Sequence, residues 1–364
     1  MNLITHQTLE LAIDLQQIPA PTFMEHLRTA KVAALFQQER LLDVEIDPTG
    51  NVYGRLSGGA APPLVISAHL DTVFPETTSL NLIRTPERIS GPGIGDNSLG
   101  LAGLFGVLWL LREDKFLPEG DIWFVANVGE EGLGDLRGMR AAVDRFGDLP
   151  TAYLVLEGMS LGHIYHRALG VQRYKIAART QGGHSWVNYG RPSAIHALAG
   201  LVARLANLPI SVEPRASLNV GIIEGGTSIN TIAPHASCLL DLRSEDPGTL
   251  TRLVAEVEAL VNASPGEGVS FSLERIGDRP AGEIPPDDSL VRLGAASLEK
   301  LGVPVQLGIG STDANIPLSR GLPAICIGLT TGGGAHTEDE YINVAPLETG
   351  LAHVYEVVRG VWGR

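Results

Sequence analysis

Short apolar runs alternate with stretches of helical periodicity in the first part of the chain. Apolar residues recur at helical spacing in 5–18, 24–39, 99–111 and 134–145. Runs typical of strands are found at 42–47, 51–56, 64–68, 122–127 and 152–156. Strands that alternate with helices form largely parallel sheets with helices on both faces. We therefore predict an α/β fold with a mostly parallel, helix-covered sheet.

A different order of elements begins near residue 168. The elements are then strand, helix, strand, strand, helix and strand, at 171–180, 192–208, 216–224, 236–243, 247–263 and 269–275. This β-α-β-β-α-β order is that of a ferredoxin-like unit. Clustered prolines and glycines at 279–286 indicate a linker back to further helices and strands, with a loop at 330–336. We predict a discontinuous domain, residues 1–167 and 281–364, interrupted by an inserted domain, residues 168–280.

The composition argues against several classes of protein. The chain has 364 residues, of which 44% are hydrophobic, enough for two sizeable cores. A formal charge of −14 without a basic stripe argues against nucleic-acid binding, which depends on clustered lysine and arginine. The N-terminal stretch does not resemble a signal peptide, and no apolar run is long enough to span a membrane. With two cysteines, Cys238 and Cys326, both in apolar runs, we expect a cytoplasmic protein with buried thiols and no membrane partner.

The strand at 64–68 leads into His69, and Asp71 follows. Side chains two residues apart on an extended chain share a face, and the carboxyl edge of such a sheet is where ligands bind. A histidine that binds a metal usually has an acid or carbonyl that fixes its tautomer, a supporting role that suits Asp71. Taken alone, a His-x-Asp pair is more often part of a surface loop, so the interpretation depends on further ligands.

Further imidazoles and carboxylates stand at predicted strand ends or in glycine-rich loops. Together with His69 they are Asp96, Glu131, Glu157 and His336. Such ligands suit zinc, manganese or cobalt. Five ligands exceed the needs of one tetrahedral ion, but they fit two ions if one carboxylate bridges, the arrangement that activates a water molecule. Glu130 could then accept the proton of that water, because it follows an apolar strand between glycines instead of lying on a solvated helix face.

The order of these motifs along the chain resembles that of a known enzyme family. The motifs are H-L-D (69–71), G-x-G-D-N-S (93–98), G-E-E-G (129–132), L-E-G (156–158), G-G-H-S (182–185) and G-A-H-T-E-D-E (334–340). The chain is similar to the dinuclear zinc peptidases and amidohydrolases that include carboxypeptidase G, aminoacylase and succinyl-diaminopimelate desuccinylase. The resemblance implies a zinc-exopeptidase-like domain that holds two divalent ions, zinc in the first place and cobalt or manganese otherwise.

The resemblance also implies a role for each residue of the metal site. Asp96 is expected to bridge the two ions. His69 and Glu157 are expected to complete the coordination of one ion, and Glu131 and His336 that of the other. Glu130 is expected to be the general base and acid, and Asp71 to orient His69. A cis peptide bond is expected between Asp96 and Asn97.

Three residues of the inserted domain match functional positions of the same family. The resemblance implies that His184 reaches the active site of a neighbouring subunit and stabilises the oxyanion, which requires a homodimer joined through the inserted domains. Asn230 and Arg243 match positions that hold the substrate carboxylate. An arginine fork suits a carboxylate for independent reasons, although Arg243 could instead form a structural salt bridge with Asp241 or Glu245.

Glu157 bears on the class of substrate. In the family, Glu at this position is typical of carboxypeptidases and N-acyl hydrolases, whereas Asp is typical of aminopeptidases and dipeptidases. We therefore predict that the protein hydrolyses an amide bond next to a free carboxylate in a small peptide or N-acyl amino acid, with a dipeptidase or aminopeptidase as the alternative. A serine hydrolase would use Ser160 in G-M-S-L-G (158–162), but this motif requires a following helix, and 163–179 is predicted to be strand. A non-catalytic binding protein of this fold would have lost a ligand, and none is missing.

Overall fold

The elements predicted from the sequence assemble around a mostly parallel sheet in the computed structural model, which describes residues 2–264 and 266–363. The helices are α1 (Leu3–Gln16), α2 (His26–Gln38), α3 (Gly100–Glu113), α4 (Arg137–Phe146), α5 (Ala194–Ala206), α6 (Pro247–Asn262), α7 (Ser289–Lys300), α8 (Asn315–Ser319) and α9 (Leu347–Gly360). The strands are β1 (Leu42–Ile46), β2 (Val52–Leu56), β3 (Ala61–His69), β4 (Ile83–Arg84), β5 (Arg88–Ser90), β6 (Gly120–Asn127), β7 (Ala152–Glu157), β8 (His163–Ala168), β9 (Gly170–Thr180), β10 (Gly183–His184), β11 (Ala216–Gly225), β12 (Thr231–Ile232), β13 (His235–Ser244), β14 (Val269–Arg279), β15 (Gly282–Glu283), β16 (Gln306–Gly310), β17 (Ala324–Gly328), β18 (Gly332–Gly333) and β19 (Tyr341–Asn343).

The chain divides into two units. Unit 1 comprises Met1–Ala168 and Gly282–Arg364, and unit 2 comprises Leu169–Ala281. The main sheet of unit 1 has nine strands in the order β1-β2-β6-β3-β7-β17-β8-β15, with β16 paired to β8. Its central strands β6, β3, β7 and β17 are parallel, whereas β1 and β2 are antiparallel. The predicted α/β fold with a mostly parallel sheet is confirmed.

Burial on both faces explains the sequence of β3. Leu64, Val65 and Ile66 are at most 1% exposed, and α3 packs against the strand, so apolar residues run consecutively instead of alternating. The neighbouring parallel strands β3, β6 and β7 end at the same edge of the sheet, and the register pairs His69 with Asn127. Polar residues that follow these apolar runs are therefore collected at one edge.

Unit 2 is a four-stranded antiparallel sheet in the order β11-β13-β9-β14, against which α5 and α6 pack. The order along the chain is β9-α5-β11-β13-α6-β14, which is the β-α-β-β-α-β arrangement. Helix α6 begins with Pro247 after Asp246, whose side chain accepts a hydrogen bond from the backbone N–H of Thr249 at 2.6 Å. Cys238 lies in this unit and Cys326 in unit 1, both as buried free thiols.

The strand-like run beyond residue 162 is divided between the two units. His163–Ala168 pairs with strands of unit 1, and Gly170–Thr180 pairs with strands of unit 2, with Leu169 between them. Both sides of the break are rich in strand-forming residues, so periodicity gives no signal for it. The predicted loop at 330–336 also contains a short strand, β18, which joins the small sheet β18-β19-β5-β4.

One apolar stretch is longer than the sequence analysis predicts. Within the described residues, Ile94–Glu113 is a helical stretch of 20 residues that is long and apolar enough to cross a membrane by length and composition. The prediction that no apolar run reaches this length is therefore wrong. In the structure 83% of an apolar 18-residue part of this stretch is buried, so its hydrophobicity is explained by packing in the core of unit 1.

Candidate metal centre

His69 ends β3, is 1% exposed, and is oriented by Asp71. Its Nδ1 lies 3.0 Å from the backbone oxygen of Asp71 and 3.5 Å from Asp71 Oδ1. In the neutral imidazole, Nδ1 donates its proton to these oxygens, so Nε2 presents a lone pair. Nε2 lies 3.0 Å from Asp96 Oδ1 and 3.8 Å from Glu157 Oε2. Nε2 is therefore the ring atom that can bind an ion.

Asp96 faces two histidines. Its Oδ1 is the atom near His69, and its Oδ2 lies 3.1 Å from His336 Nε2. A carboxylate whose two oxygens face different imidazoles is placed to bridge two ions. The peptide bond between Asp96 and Asn97 is cis, as predicted.

Asn97 fixes the irregular helical turn Ile94–Leu99, which carries Asp96, to the end of β7. Its Nδ2 donates to the backbone oxygen of Leu156 at 2.9 Å, and its Oδ1 accepts from the backbone N–H of Gly158 at 2.9 Å. These two backbone groups flank Glu157. One amide side chain thus sets the position of Asp96 relative to Glu157.

The remaining predicted ligands belong to the same cluster. Glu131 Oε1 lies 3.2 Å from His336 Nε2, and one ligand atom from each of His69, Asp96 and Glu131 lies within 4.8 Å of the others. The contacts form two overlapping groups, His69–Asp96–Glu157 and Asp96–Glu131–His336. The ions themselves and the role of each ligand stay predictions.

Asp71 also holds the turn that carries the two adjacent glutamates. Its carboxylate is fully buried, with Oδ1 accepting from the backbone N–H of Glu130 at 3.0 Å and Oδ2 from that of Glu131 at 2.9 Å. Oδ2 also accepts from Thr22 Oγ1 at 2.8 Å. One carboxylate therefore positions His69, Glu130 and Glu131 together, a wider role than the sequence analysis assigns to it.

The carboxylates of the cluster lie too close together to be ionised without compensation. Burial, with the negative charges of Asp96 and Glu130, raises the pKa of Glu131 to about 8 and that of Glu157 to about 7. Hydrogen bonds with Asp96 and Glu131 raise the pKa of His336 to about 10. Burial alone would raise the pKa of Asp96, but the hydrogen bonds from His336 and His69 have the larger effect and lower this pKa. Cations would replace these protons and compensate the charge, so the donor set fits a pair of divalent ions.

Glu340 is a site residue that the sequence analysis does not identify. It is fully buried, and its Oε1 accepts from the backbone N–H groups of Gly95 at 2.7 Å and Asp96 at 2.8 Å, while Oε2 accepts from that of Gly93 at 3.3 Å. It follows His336 in the same loop, so it links the two loops that carry Asp96 and His336. No single-sequence pattern reports such backbone contacts.

We expect Glu340→Ala to weaken metal binding by about tenfold to a hundredfold, the usual cost of losing a group that orients a ligand. Glu340→Gln should restore most of this loss, because its amide oxygen can still accept from Gly95 and Asp96. The measurement is the metal affinity of the metal-free proteins by competition with a chelating dye. Glu338→Ala, an exposed change in the same loop, is the matched control. Equal affinities for Glu340→Ala and the parent would contradict the positioning role.

Asn127 and Asp313 form a second pair that the sequence does not reveal. Both are fully buried, and Asn127 Nδ2 donates to Asp313 Oδ2 at 2.6 Å. Burial, followed by the negative charge of Glu130, raises the pKa of Asp313 well above its usual range. The hydrogen bond ties the end of β6, just before Glu130, to the loop that precedes α8.

The three predicted residues of unit 2 have their own local structure. His184 in β10 pairs in register with Thr231, and its Nδ1 accepts from the backbone N–H groups of Trp186 at 3.2 Å and Val187 at 3.4 Å. The ring proton of the neutral imidazole must then be on Nε2. The backbone oxygen of Asn230 accepts from the N–H of Ser185 at 3.0 Å, which places Asn230 beside His184.

Arg243 is engaged by Asp241, one of the two partners considered from the sequence. Its Nε donates to Asp241 Oδ2 at 2.7 Å, and Arg173 Nε donates to Asp241 Oδ1 at 3.0 Å.

Ser160 has a left-handed backbone with φ of 73°, and strand β8 follows it where a serine-hydrolase elbow requires a helix. Its hydroxyl accepts from Tyr165 Oη at 3.4 Å, so the structure gives no support to the serine-hydrolase alternative.

Known proteins resemble this chain along most of its length. The aminopeptidase PepT of Bacillus cereus has a structure that superposes with a TM-score of 0.78 at 22% identity, covering 98% of this chain and 99% of that chain. YxeP of Bacillus subtilis, described as a dinuclear metal-binding peptidase of the M20 family, superposes with a TM-score of 0.67 at 16% identity over 98% and 97% of the chains. The uncharacterized protein YqjE of Bacillus subtilis is 23% identical over 93% of this chain and 94% of its own length. A probable carboxypeptidase of Aspergillus flavus is 27% identical over 65% of this chain and 60% of its own length.

The sequence profile of peptidase family M20/M25/M40 matches residues 65–360. This range begins in β3 and ends in α9, so it includes all five residues of the cluster described above. The match covers most of the chain, and it agrees with the resemblance noted from the sequence motifs. The protein belongs to peptidase family M20/M25/M40, a family of dinuclear metal-binding hydrolases.

Proposed function

We propose that this peptidase hydrolyses an amide bond next to a free carboxylate, as a carboxypeptidase or an N-acyl amino acid amidohydrolase. The observation that carries the proposal is that the two carboxylate oxygens of Asp96 face different histidines, His69 and His336. Glu157 lies beside His69, and Glu131 lies beside His336. This set suits two divalent ions, with zinc proposed first and cobalt or manganese as substitutes. When bound, the ions supply Lewis-acid activation of the water and of the substrate carbonyl.

Glu130 is proposed as the general base and then the general acid. It is 6% exposed, and Asp71 holds its backbone at the edge of the cluster. Glu130 accepts a proton from the attacking water as the new carbon–oxygen bond forms. It passes that proton to the amide nitrogen as the carbon–nitrogen bond breaks, so the residue ends the cycle unchanged.

The residues of unit 2 are proposed to bind the substrate and its developing charge. His184 has its proton on Nε2, the tautomer that can donate a hydrogen bond to an oxyanion. Within the described residues Arg243 uses only Nε for Asp241, so its terminal nitrogens remain to bind a carboxylate, with Asn230 as a second donor. Recognition of a carboxylate, together with Glu at position 157, favours a carboxypeptidase or N-acyl hydrolase over an aminopeptidase.

A panel of three substrate types tests this proposal. N-acyl amino acids carry a free carboxylate, amino acid amides carry a free amine, and dipeptides carry both. Assayed after reconstitution with zinc, cobalt or manganese, the protein should cleave N-acyl amino acids and leave amino acid amides intact. Faster cleavage of the amides would favour the aminopeptidase alternative, and full activity with a strong chelator would overturn the metal-dependent mechanism.

A homodimer joined through unit 2 is part of the proposal. Strand β11 lies at the edge of its sheet, and its side chains Ile222 and Ile223 are 55% and 57% exposed, as expected of a strand that pairs with a second copy. His184 would then complete the site of the partner subunit.

We expect two inactive variants, His184→Ala and Glu130→Gln, to restore activity when their subunits are mixed. After dissociation and reassembly, random pairing makes about half of the dimers mixed, each with one intact site, so roughly a quarter of parental activity should return. The measurement is the specific activity of the mixture, with each variant alone as the control. No recovery although mixed dimers are detected by mass would show that His184 works within its own chain or not at all.

A further inference from the structure

Three segments that the Asp71 carboxylate ties together each carry an exposed, large apolar side chain. Thr22, which donates to Asp71, is followed by Phe23, and Val73 comes shortly after Asp71 itself. Leu133 comes shortly after Glu131, whose N–H also donates to Asp71. Consecutive Cα atoms are about 3.8 Å apart, so the Cα atom of each apolar residue lies within about 8 Å of that of Asp71 itself or of a residue that donates a hydrogen bond to Asp71. The side chains are 61% exposed for Phe23, 38% for Val73 and 51% for Leu133.

Phe23 is held in a conformation that a bulky residue rarely adopts. Its φ is +75°, in the left-handed region that favours glycine, and it leaves an aromatic ring in water. The positive φ costs free energy, and the exposed part of the ring gains none from burial. A strained and exposed aromatic residue beside a catalytic turn therefore indicates a function.

Arg137 connects this ring to the turn that carries Glu130. Its guanidinium carbon lies 4.9 Å from the centroid of the Phe23 ring, and its Nη2 donates to Glu25 Oε1 at 2.8 Å. A Cβ at Gly129 would lie 2.4 Å from Arg137 Nη1, so the guanidinium also packs on the residue that precedes Glu130. The Phe23 side chain is thereby fixed next to the candidate catalytic turn instead of pointing freely into solvent.

We propose that Phe23, Val73 and Leu133 form an apolar rim that binds an apolar side chain of the substrate next to the scissile amide. The proposal rests on the proposed function, because it takes the nearby cluster to be the site of hydrolysis. An apolar side chain gains about fourfold in binding for each methylene that the rim removes from water.

Phe23→Gly separates this role from a structural one. Glycine adopts a positive φ without strain, so the variant should fold with an unchanged or higher melting temperature. It removes the ring, so the ratio of kcat/KM for a leucine substrate to that for the matching glycine substrate should fall by about tenfold, the effect of losing the burial of between one and two methylenes. Leu133→Ser, which leaves the strained residue in place, should lower the same ratio.

The substrate pairs place the apolar group on either side of the amide. N-acetyl-Leu and N-octanoyl-Gly are each compared with N-acetyl-Gly, and the proposal requires the ratio to fall for at least one pair. If the parent cleaves dipeptides or amides instead, the leucine-to-glycine ratio is measured in that class, so failure of the proposed function leaves this test intact. Leu117→Ala is the matched control, because Leu117 is 88% exposed but precedes β6, at the edge of the sheet opposite to His69.

Three results would overturn the proposal. An equal loss on leucine and glycine substrates would leave the ratio unchanged and would show that Phe23 acts in catalysis or folding. A ratio that stays at the parental value without any loss would show that the rim does not touch the substrate. A change in the molar mass measured by light scattering for Phe23→Gly would show that the rim is a contact between subunits.

Discussion

Glu130→Gln should lower kcat by at least about a hundredfold, the usual contribution of a general base, while the metal content stays at the parental value. Glutamine preserves the size of the side chain and leaves the backbone N–H free to donate to Asp71 Oδ1 as in the parent. Its neutral amide cannot accept the proton of the attacking water. The measurements are kcat on the best substrate of the panel and bound metal by mass spectrometry.

Glu113→Gln makes the same chemical change at an exposed position near the end of α3 and serves as the control. It should keep parental kcat and metal content. A Glu130→Gln protein with more than about a tenth of parental kcat would remove Glu130 from the role of base. Loss of metal from that variant would instead make Glu130 a ligand, and the assignment of the two adjacent glutamates would have to be exchanged.

Asp96→Ala should lose both ions and all measurable activity. Each oxygen of Asp96 faces a different histidine, so its removal takes a ligand from both groups at once. His336→Ala takes a ligand only from the group that contains Glu131, so it should retain close to one ion per chain. Bound metal per chain, measured after dialysis against a weak chelator, distinguishes the two variants.

Asp287→Ala, a change at an exposed aspartate of unit 1, is the control for the loss of a carboxylate and should bind metal as the parent does. Circular dichroism checks that the variants are folded. An Asp96→Ala protein that keeps two ions would contradict the bridging role of Asp96, whereas a His336→Ala protein without any ion would show that the two ions bind only as a pair.

The sequence predicts the site best where a strand ends. His69 and Glu157 terminate long apolar runs, and Glu130 and Glu131 follow another, so parallel pairing is enough to bring them to one edge of the sheet. The pairing of Arg243 with Asp241 can also be predicted from the sequence, because side chains two residues apart in a strand lie on the same face. In each case the information lies within a few residues.

Contacts between distant segments leave no such signal. Asn127 and Asp313 are 186 positions apart, and Glu340 binds backbone groups 244 to 247 positions away, so nothing in one sequence indicates their pairing. The contacts of Asp71 with the backbone of Glu130 and Glu131 leave no signal for the same reason, since every residue except proline has a backbone N–H group. The strands β18 and β19 have only two and three residues, which is too short for an alternating pattern to be recognised.

The position of β17 has a consequence for biosynthesis. In the main sheet this strand lies between β7 and β8, yet in the chain it comes after the whole of unit 2. A ribosome that adds ~5–20 residues per second needs roughly 10–30 s to pass from the end of β8 to β17. Unit 2 is synthesised completely within that interval, whereas the edge of β7 that pairs with β17 stays unpaired and open to other nascent chains. His336 is translated later still, so the ligand set is complete only after every strand of the main sheet has been synthesised.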